Sequence, residues 1–164
     1  MRMFCAVILL LSFLTWGGTR IVKNIVFGID CGGHIRRAAT ANTIPLAEQE
    51  MKTVISYLEN NNKTNGYTSL VYNTPDEDIG FWYTNLKGSL DELEKVTPNT
   101  TQLERSNMLI KLRETLLHHG SQGESVTVPR GISVFPNNWT FAFLGIGSLF
   151  MAICGVALIS TYGR

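Results

Sequence analysis

The chain has 164 residues, a formal net charge of +1 and 45% hydrophobic residues, which leaves room for one compact domain beside its two apolar segments. Between residues 28 and 137, ten lysines or arginines stand against 13 aspartates or glutamates. This acidic balance argues against a nucleic-acid partner, which needs a clustered basic surface. Of the three cysteines, two lie inside the apolar segments, so the polar part cannot hold a disulfide framework.

An apolar run at residues 3–16 follows the basic residue Arg2. A basic start and a short apolar core are typical of a cleavable signal peptide. Apolar character resumes after Arg20 and Lys23, whose long side chains can reach a membrane interface, and this favours an uncleaved anchor. No A-x-A cleavage site lies at the right distance from the core. We therefore interpret residues 1–27 as a signal anchor, with a signal peptide as the alternative.

Residues 28–34 contain three glycines and an aspartate, a composition that predicts the end of a helix and a turn. The polar domain is expected at residues 35–136. Its first helix should begin at Thr43 or Ile44, with Pro45 in the first turn. An amphipathic stripe follows at spacings of three and four: Ile44, Ala47, Met51, Val54, Ile55 and Leu58.

Residues 66–72 are short, β-branched and aromatic, which predicts extended chain. Residues 74–77, Thr-Pro-Asp-Glu, have the pattern of a capping box. The helix expected to begin there should end near Lys95, before Pro98. Its apolar face consists of Ile79, Trp82 or Tyr83, Leu86, Leu90 and Leu93.

A third helix is expected from Thr100 or Thr101 to the histidines before Gly120. Its apolar face would carry Leu103, Leu109 or Ile110, Leu112 or Arg113, and Leu116. Residues 124–136 hold two prolines and should be extended, pairing with residues 66–72. The fold class is therefore mainly α: a small three-helix antiparallel bundle with a minor extended or β element, between an N-terminal apolar segment and a C-terminal transmembrane helix.

Residues 139–161 carry no charge and no proline, and this run is long enough to span a bilayer core of about 30 Å. Asn137 or Asn138 would cap the helix, which places the transmembrane segment at residues 138–162. Small residues allow another helix to approach closely, and they share one face here: Gly145, Ser148, Ala152 and Gly155. The first apolar segment is a candidate partner for this face.

Metal or catalytic chemistry has little support. Cys31 and His34, with Asp30 beside them, have ligand types but no second pair for a structural zinc site. His118 and His119 are adjacent and point about 100° apart on a helix, so we interpret them as helix C-terminal residues. The carboxylates of residues 76–78 are explained by helix capping. We expect no metal, no cofactor and no enzyme activity, although a metal-dependent enzyme using Asp30, Cys31 and His34 is a third hypothesis.

Five aromatic residues stand out as candidates for a binding surface: Tyr67, Tyr72, Phe81, Trp82 and Tyr83. Three of them are consecutive on a helix, so they cannot all face one seam. Either the two preceding tyrosines cover them, or they form an interaction surface, where aromatic residues are enriched.

The function expected from these features is that of a non-enzymatic, membrane-anchored interaction protein or accessory subunit of a larger membrane assembly. The alternative is an extracytoplasmic sensor or ligand-binding module that uses the aromatic surface. The expected partners are the membrane and one or more proteins. Basic residues after the first apolar run favour a cytoplasmic domain, whereas the signal-like start favours export. We favour an integral membrane protein with its domain outside the cytoplasm.

Overall fold

The computed structural model describes residues 2–69, 73–120, 123–135 and 139–160. The chain forms two compact units: Met1–Ile25 with Asn137–Arg164, and Val26–Pro136. The helices are α1 (Arg2–Phe27), α2 (Gly33–Ala39), α3 (Ile44–Asn60), α4 (Ile79–Glu94), α5 (Gln102–Leu116) and α6 (Trp139–Ser160), and the strands are β1 (Leu117–Gly120) and β2 (Gly123–Val126). The expected class, mainly helical with a small sheet, is confirmed.

The first unit pairs α1 with α6. Two helical stretches are long and apolar enough to cross a membrane: Ala6–Ala39, which begins in α1 and continues through α2, and Trp139–Ala157 of α6. Most of their large apolar side chains are exposed, as expected of helices that face lipid rather than water. The predicted caps Asn137 and Asn138 lie outside the described residues.

The second unit has its core between α2, α3, α4 and α5. On α3 all six residues of the predicted stripe are buried: Ile44, Ala47, Met51, Val54, Ile55 and Leu58. On α4 the buried face is Ile79, Trp82, Leu86, Leu90 and Leu93, so Trp82 rather than Tyr83 belongs to it. These two predictions are confirmed, because the 3.6-residue period directs each stripe to one side of its helix.

The predicted turn at residues 28–34 is wrong. Gly28–Gly32 forms a π-helical turn that continues directly into α2, and Phe27, Gly32 and Gly33 all have right-handed helical backbone angles. Cys31 and Ile35 are fully buried in the core of the second unit. Burial of these two side chains offsets the roughly 0.5–1 kcal/mol that each glycine costs in a helix.

The predicted start of α4 at residues 74–77 is also wrong. Pro75–Glu77 forms a separate 3-10 turn, and α4 begins at Ile79. Asp78 is held extended by a bridge to Tyr67, with the Ile79 N–H donating to the Gly66 carbonyl at 2.9 Å. Because Asp78 is extended, the helix can begin only after it. Its Oδ1 then caps α4 by accepting from the Phe81 N–H at 3.0 Å.

The end of α5 differs from the prediction as well. The helix begins as expected, with a capping box between Thr101 and Glu104, but it ends at Leu116. His118 and His119 lie on β1, which pairs antiparallel with β2. The observed partner of β2 is thus β1 rather than the expected residues 66–72, of which 70–72 lie outside the described residues. The buried face of α5 is short, because Leu103 is 70% exposed and Leu112 and Leu116 supply its fully buried contacts.

Candidate functional site

A groove of about 580 Å³ lies on the second unit, between α4 and the segment that follows β2. One wall comes from residues 74–78 and the first turns of α4, and the other from residues 127–130. Its lining combines aromatic, acidic and aliphatic side chains with one arginine: Thr74, Pro75, Asp76, Glu77, Asp78, Phe81, Trp82, Asn85, Leu86, Thr115, Thr127, Val128, Pro129 and Arg130. We call it the acidic aromatic groove.

The cap at Asp78 decides how the three consecutive aromatic residues of α4 are directed. Successive residues on a helix point about 100° apart, so only one of the three can face the core fully. Trp82 takes that position and is 8% exposed, whereas Phe81 is 65% exposed. Tyr83 is half-buried. Phe81 and Trp82 line the groove, and Phe81 leaves an apolar ring in contact with solvent.

Trp82 holds the two walls of the groove together. Its indole Nε1–H donates to the carbonyl of Thr127 at 2.8 Å, across 45 residues of sequence. Thr127 is the residue directly after β2. Its N–H donates to the Leu116 carbonyl at 2.9 Å, which extends the pairing of the β1–β2 hairpin by one residue. The groove is therefore built by a buried indole that fixes both of its sides.

The charges of the groove are mostly negative. Asp76, Glu77 and Asp78 line one wall and Arg130 belongs to the other. Asp78 is occupied as the helix cap, and Glu77 accepts a hydrogen bond from the Thr74 hydroxyl at 2.8 Å. Within the described ranges, no ion pair joins Asp76 or Arg130 to another side chain.

Tyr83 and Tyr67 do not line the groove. Tyr83 turns toward α3 and donates its hydroxyl to Oε1 of Glu59 at 2.6 Å. This bond to a carboxylate raises the pKa of Tyr83 to about 12. Tyr67 is 36% exposed and pairs through its backbone with Asp78, while Tyr72 lies outside the described residues. The structure thus brings two of the five predicted residues, Phe81 and Trp82, to one site.

The small residues of α6 lie against α1. A Cβ atom at Gly145 would come within 2.5 Å of the Trp16 indole, and one at Gly155 would meet the Ala6 carbonyl at 3.1 Å. Ser148 is buried and Ala152 half-buried on the same helix. The Trp16 Nε1–H donates to the Phe141 carbonyl at 2.9 Å.

Sequence reasoning missed a buried charge cluster between α2 and α3. Glu50 is 4% exposed, with its Oε2 2.6 Å from Nδ1 of His34 and its Oε1 2.6 Å from Nη2 of Arg37. Buried carboxylates need such partners because desolvating an unpaired charge is costly. The sequence did indicate this burial, because Glu50 lies three residues after Ala47 and four before Val54 and so belongs to the apolar stripe of α3.

The structure does not bring Asp30, Cys31 and His34 together as a metal site. Cys31 is fully buried in the core, Asp30 is exposed, and His34 is engaged with Glu50. Across the residues that the structure describes, no three or more His, Cys, Asp or Glu side chains are grouped so that they could hold a metal ion.

No protein-family model, curated protein or solved structure matches this chain. What the chain does is accordingly inferred from its own residues.

Proposed function

We propose that this chain is a non-enzymatic, membrane-anchored interaction protein, an accessory subunit of a larger membrane assembly. The observation that carries the proposal is the acidic aromatic groove with Phe81 at its edge. An exposed aromatic ring beside a concave surface can anchor a partner, and aromatic side chains are enriched at protein interfaces and their hot spots. Burying that ring would supply roughly 1.5–3 kcal/mol.

Two apolar helices support the membrane part of the proposal. α1 and α6 each have the length needed to cross a bilayer, and α6 presents Gly145 and Gly155 to α1 at close range. Without a hydrophobic driving force between helices in lipid, small residues stabilise a helix pair by permitting close packing. In this proposal the two helices anchor an antiparallel bundle of α3, α4 and α5.

The proposal places the helical domain outside the cytoplasm. A pair of reporters inserted after Gly120, one active only in the cytoplasm and one only outside, tests the side of the membrane. Activity of the external reporter is expected. Activity of the cytoplasmic reporter alone would reverse the topology without removing the interaction role.

The interaction role is tested by photo-crosslinking in native membranes. A photoreactive amino acid is placed at Phe81 in one variant and at Leu103 in a matched control, because Leu103 is similarly exposed, at 70%, and does not line the groove. A crosslinked protein adduct is expected from position 81 and not from position 103. A chain that gives no adduct from position 81 and purifies in mild detergent as a solitary monomer would refute the proposal.

The second candidate function is an extracytoplasmic sensor or ligand-binding module. The volume of the groove favours it, since about 580 Å³ lies within the range of roughly 300–1,000 Å³ typical of small-molecule sites. A panel of small ligands would then raise the melting temperature of the wild-type chain. The same ligands should have no effect on the Phe81→Ala variant, and a panel without any stabilising ligand would remove this candidate.

A further inference from the structure

We propose that the acidic aromatic groove binds a basic peptide segment of a partner protein, with an arginine or lysine side chain lying between Phe81 and the carboxylates of Asp76 and Glu77. This inference rests on the proposed interaction function and adds the chemistry of the partner. It depends on three observations: the cavity, the exposed ring and the distribution of charge along the walls.

Helix capping does not account for all the acidic side chains that line the groove. Only Asp78 caps α4, and no acidic residue lies in the first turn of that helix. Asp76 and Glu77 belong to the separate 3-10 turn. In the part of the chain that is described, Asp76 makes no ion pair, and Glu77 accepts from a neutral hydroxyl at 2.8 Å. Two carboxylates are thus left to face the groove without a cation.

Arginine and lysine fit these groups better than other side chains. A guanidinium can lie over an aromatic face and donate to a carboxylate at its edge at the same time. Apolar surface from Pro75, Trp82 and Val128 in the lining can hold the aliphatic part of such a side chain. Arg130 on the opposite wall repels cations, so the basic side chain is expected on the wall of residues 74–78.

Binding of labelled synthetic peptides to the full chain in a neutral detergent tests this proposal. Three peptides of equal length alternate leucine with arginine, glutamine or glutamate, and empty micelles serve as the blank. Fluorescence anisotropy should show the arginine peptide binding at least about tenfold more tightly than the glutamine peptide. Raising the salt concentration should weaken the arginine peptide most, since exposed charges are screened.

Matched variants assign the binding to the groove. Asp76→Asn is expected to weaken the binding of the arginine peptide up to about fivefold, since one exposed charge contact contributes roughly 0.2–1 kcal/mol. Asp91→Asn removes the same charge from an exposed position of α4 that does not line the groove, and it should leave the affinity unchanged. Phe81→Leu keeps an apolar side chain but removes the aromatic face, so it should weaken the arginine peptide more than the glutamine peptide.

Three results would overturn the proposal: equal affinity for the arginine and glutamine peptides, equal effects of Asp76→Asn and Asp91→Asn, or tighter binding of spermine than of the arginine peptide. The last result would assign the groove to small polycations. Crosslinking from position 81 without any charge preference would leave the proposed function standing and remove only this inference. Charge-dependent peptide binding without a crosslinked protein in membranes would leave the charge preference of the groove standing and remove the proposed function.

Discussion

Replacing Trp82 by phenylalanine should destabilise the second unit and loosen the groove, although the substitution keeps an aromatic ring. The variant loses the indole hydrogen bond to Thr127, which contributes about 1 kcal/mol net. It also leaves a void of roughly 40 Å³ at a side chain that is 8% exposed, which costs about 1 kcal/mol at about 24 cal/mol per Å³. The expected loss in the free energy of unfolding is therefore about 2 kcal/mol.

Urea unfolding of the chain in mild detergent, followed by helical circular dichroism, measures this loss. Hydrogen exchange of residues 127–130 should rise in the same variant, because the hydrogen bond from Trp82 to that wall is gone. Phe81→Leu is the control, since Phe81 is 65% exposed and its replacement should stay within about 0.5 kcal/mol. If Trp82→Phe unfolds like the wild type, or if exchange at residues 127–130 is unchanged, Trp82 does not hold the groove together.

Three further predictions follow from contacts elsewhere in the chain. After replacement of the native cysteines, a chain with Leu9→Cys and Gly155→Cys should form a disulfide on mild oxidation. The reason is that a Cβ at position 155 would lie 3.4 Å from the Cβ of Leu9, near the roughly 3.5–4.5 Å between the Cβ atoms of natural disulfides. Gel mobility after proteolytic cleavage between the two helices detects the bridge. Glu50→Gln should lower the free energy of unfolding in urea by about 2 kcal/mol, since the carboxylate that His34 and Arg37 contact is lost. Glu50→Leu should cost at least as much, because removing one partner alone leaves His34 and Arg37 without their acceptor. Tyrosinate absorbance should show Tyr83 ionising near pH 12, and Glu59→Gln should lower that pKa. The pKa of Tyr83 in the folded chain lies above its value of 10.0 in the unfolded chain. The hydrogen bond to Glu59 therefore stabilises the fold fully below pH 10.0, and this stabilisation is lost as the pH rises through about 12.

The first two of these predictions have a control in the same chain. Gly147→Cys should not bridge to Leu9→Cys, because no atom lies within 4 Å of a Cβ built at Gly147. Glu114→Gln changes an exposed carboxylate and should cost less than about 0.5 kcal/mol. Equal bridging by both cysteine pairs, equal costs of Glu50→Gln and Glu114→Gln, or a Tyr83 pKa that does not respond to Glu59→Gln would contradict the respective contact.

The regular helices of the second unit could be predicted from periodicity. The stripe from Ile44 to Leu58 and the face from Ile79 to Leu93 follow the helical repeat closely, and burial of these side chains is a local property of the pattern. The ends of elements were less predictable. Asp78 displaced the expected start of α4 because its extended backbone depends on a bridge to Tyr67, which a local capping pattern cannot reveal.

The candidate site was predictable only in part for the same reason. The sequence pointed to Phe81 and Trp82, but the opposite wall depends on a hydrogen bond between residues 45 positions apart. Likewise, the glycines of Gly28–Gly32 predicted a turn, whereas tertiary burial of Cys31 kept the chain helical. Glu50 was overlooked because a charged residue on an apolar stripe is noticed only when its partners on another helix are known.

The pairing of α1 with α6 has a consequence for the order in which the chain assembles during synthesis. Trp16 and the Phe141 carbonyl that it binds are 125 residues apart, so a ribosome adding about 5–20 residues per second needs roughly 6–25 s to supply the second after the first. All elements of the second unit are made within that interval. The domain with the groove can therefore fold before the helix pair closes, and a nascent chain halted before Trp139 would leave the α1 face of Ala6 and Trp16 open to other apolar helices.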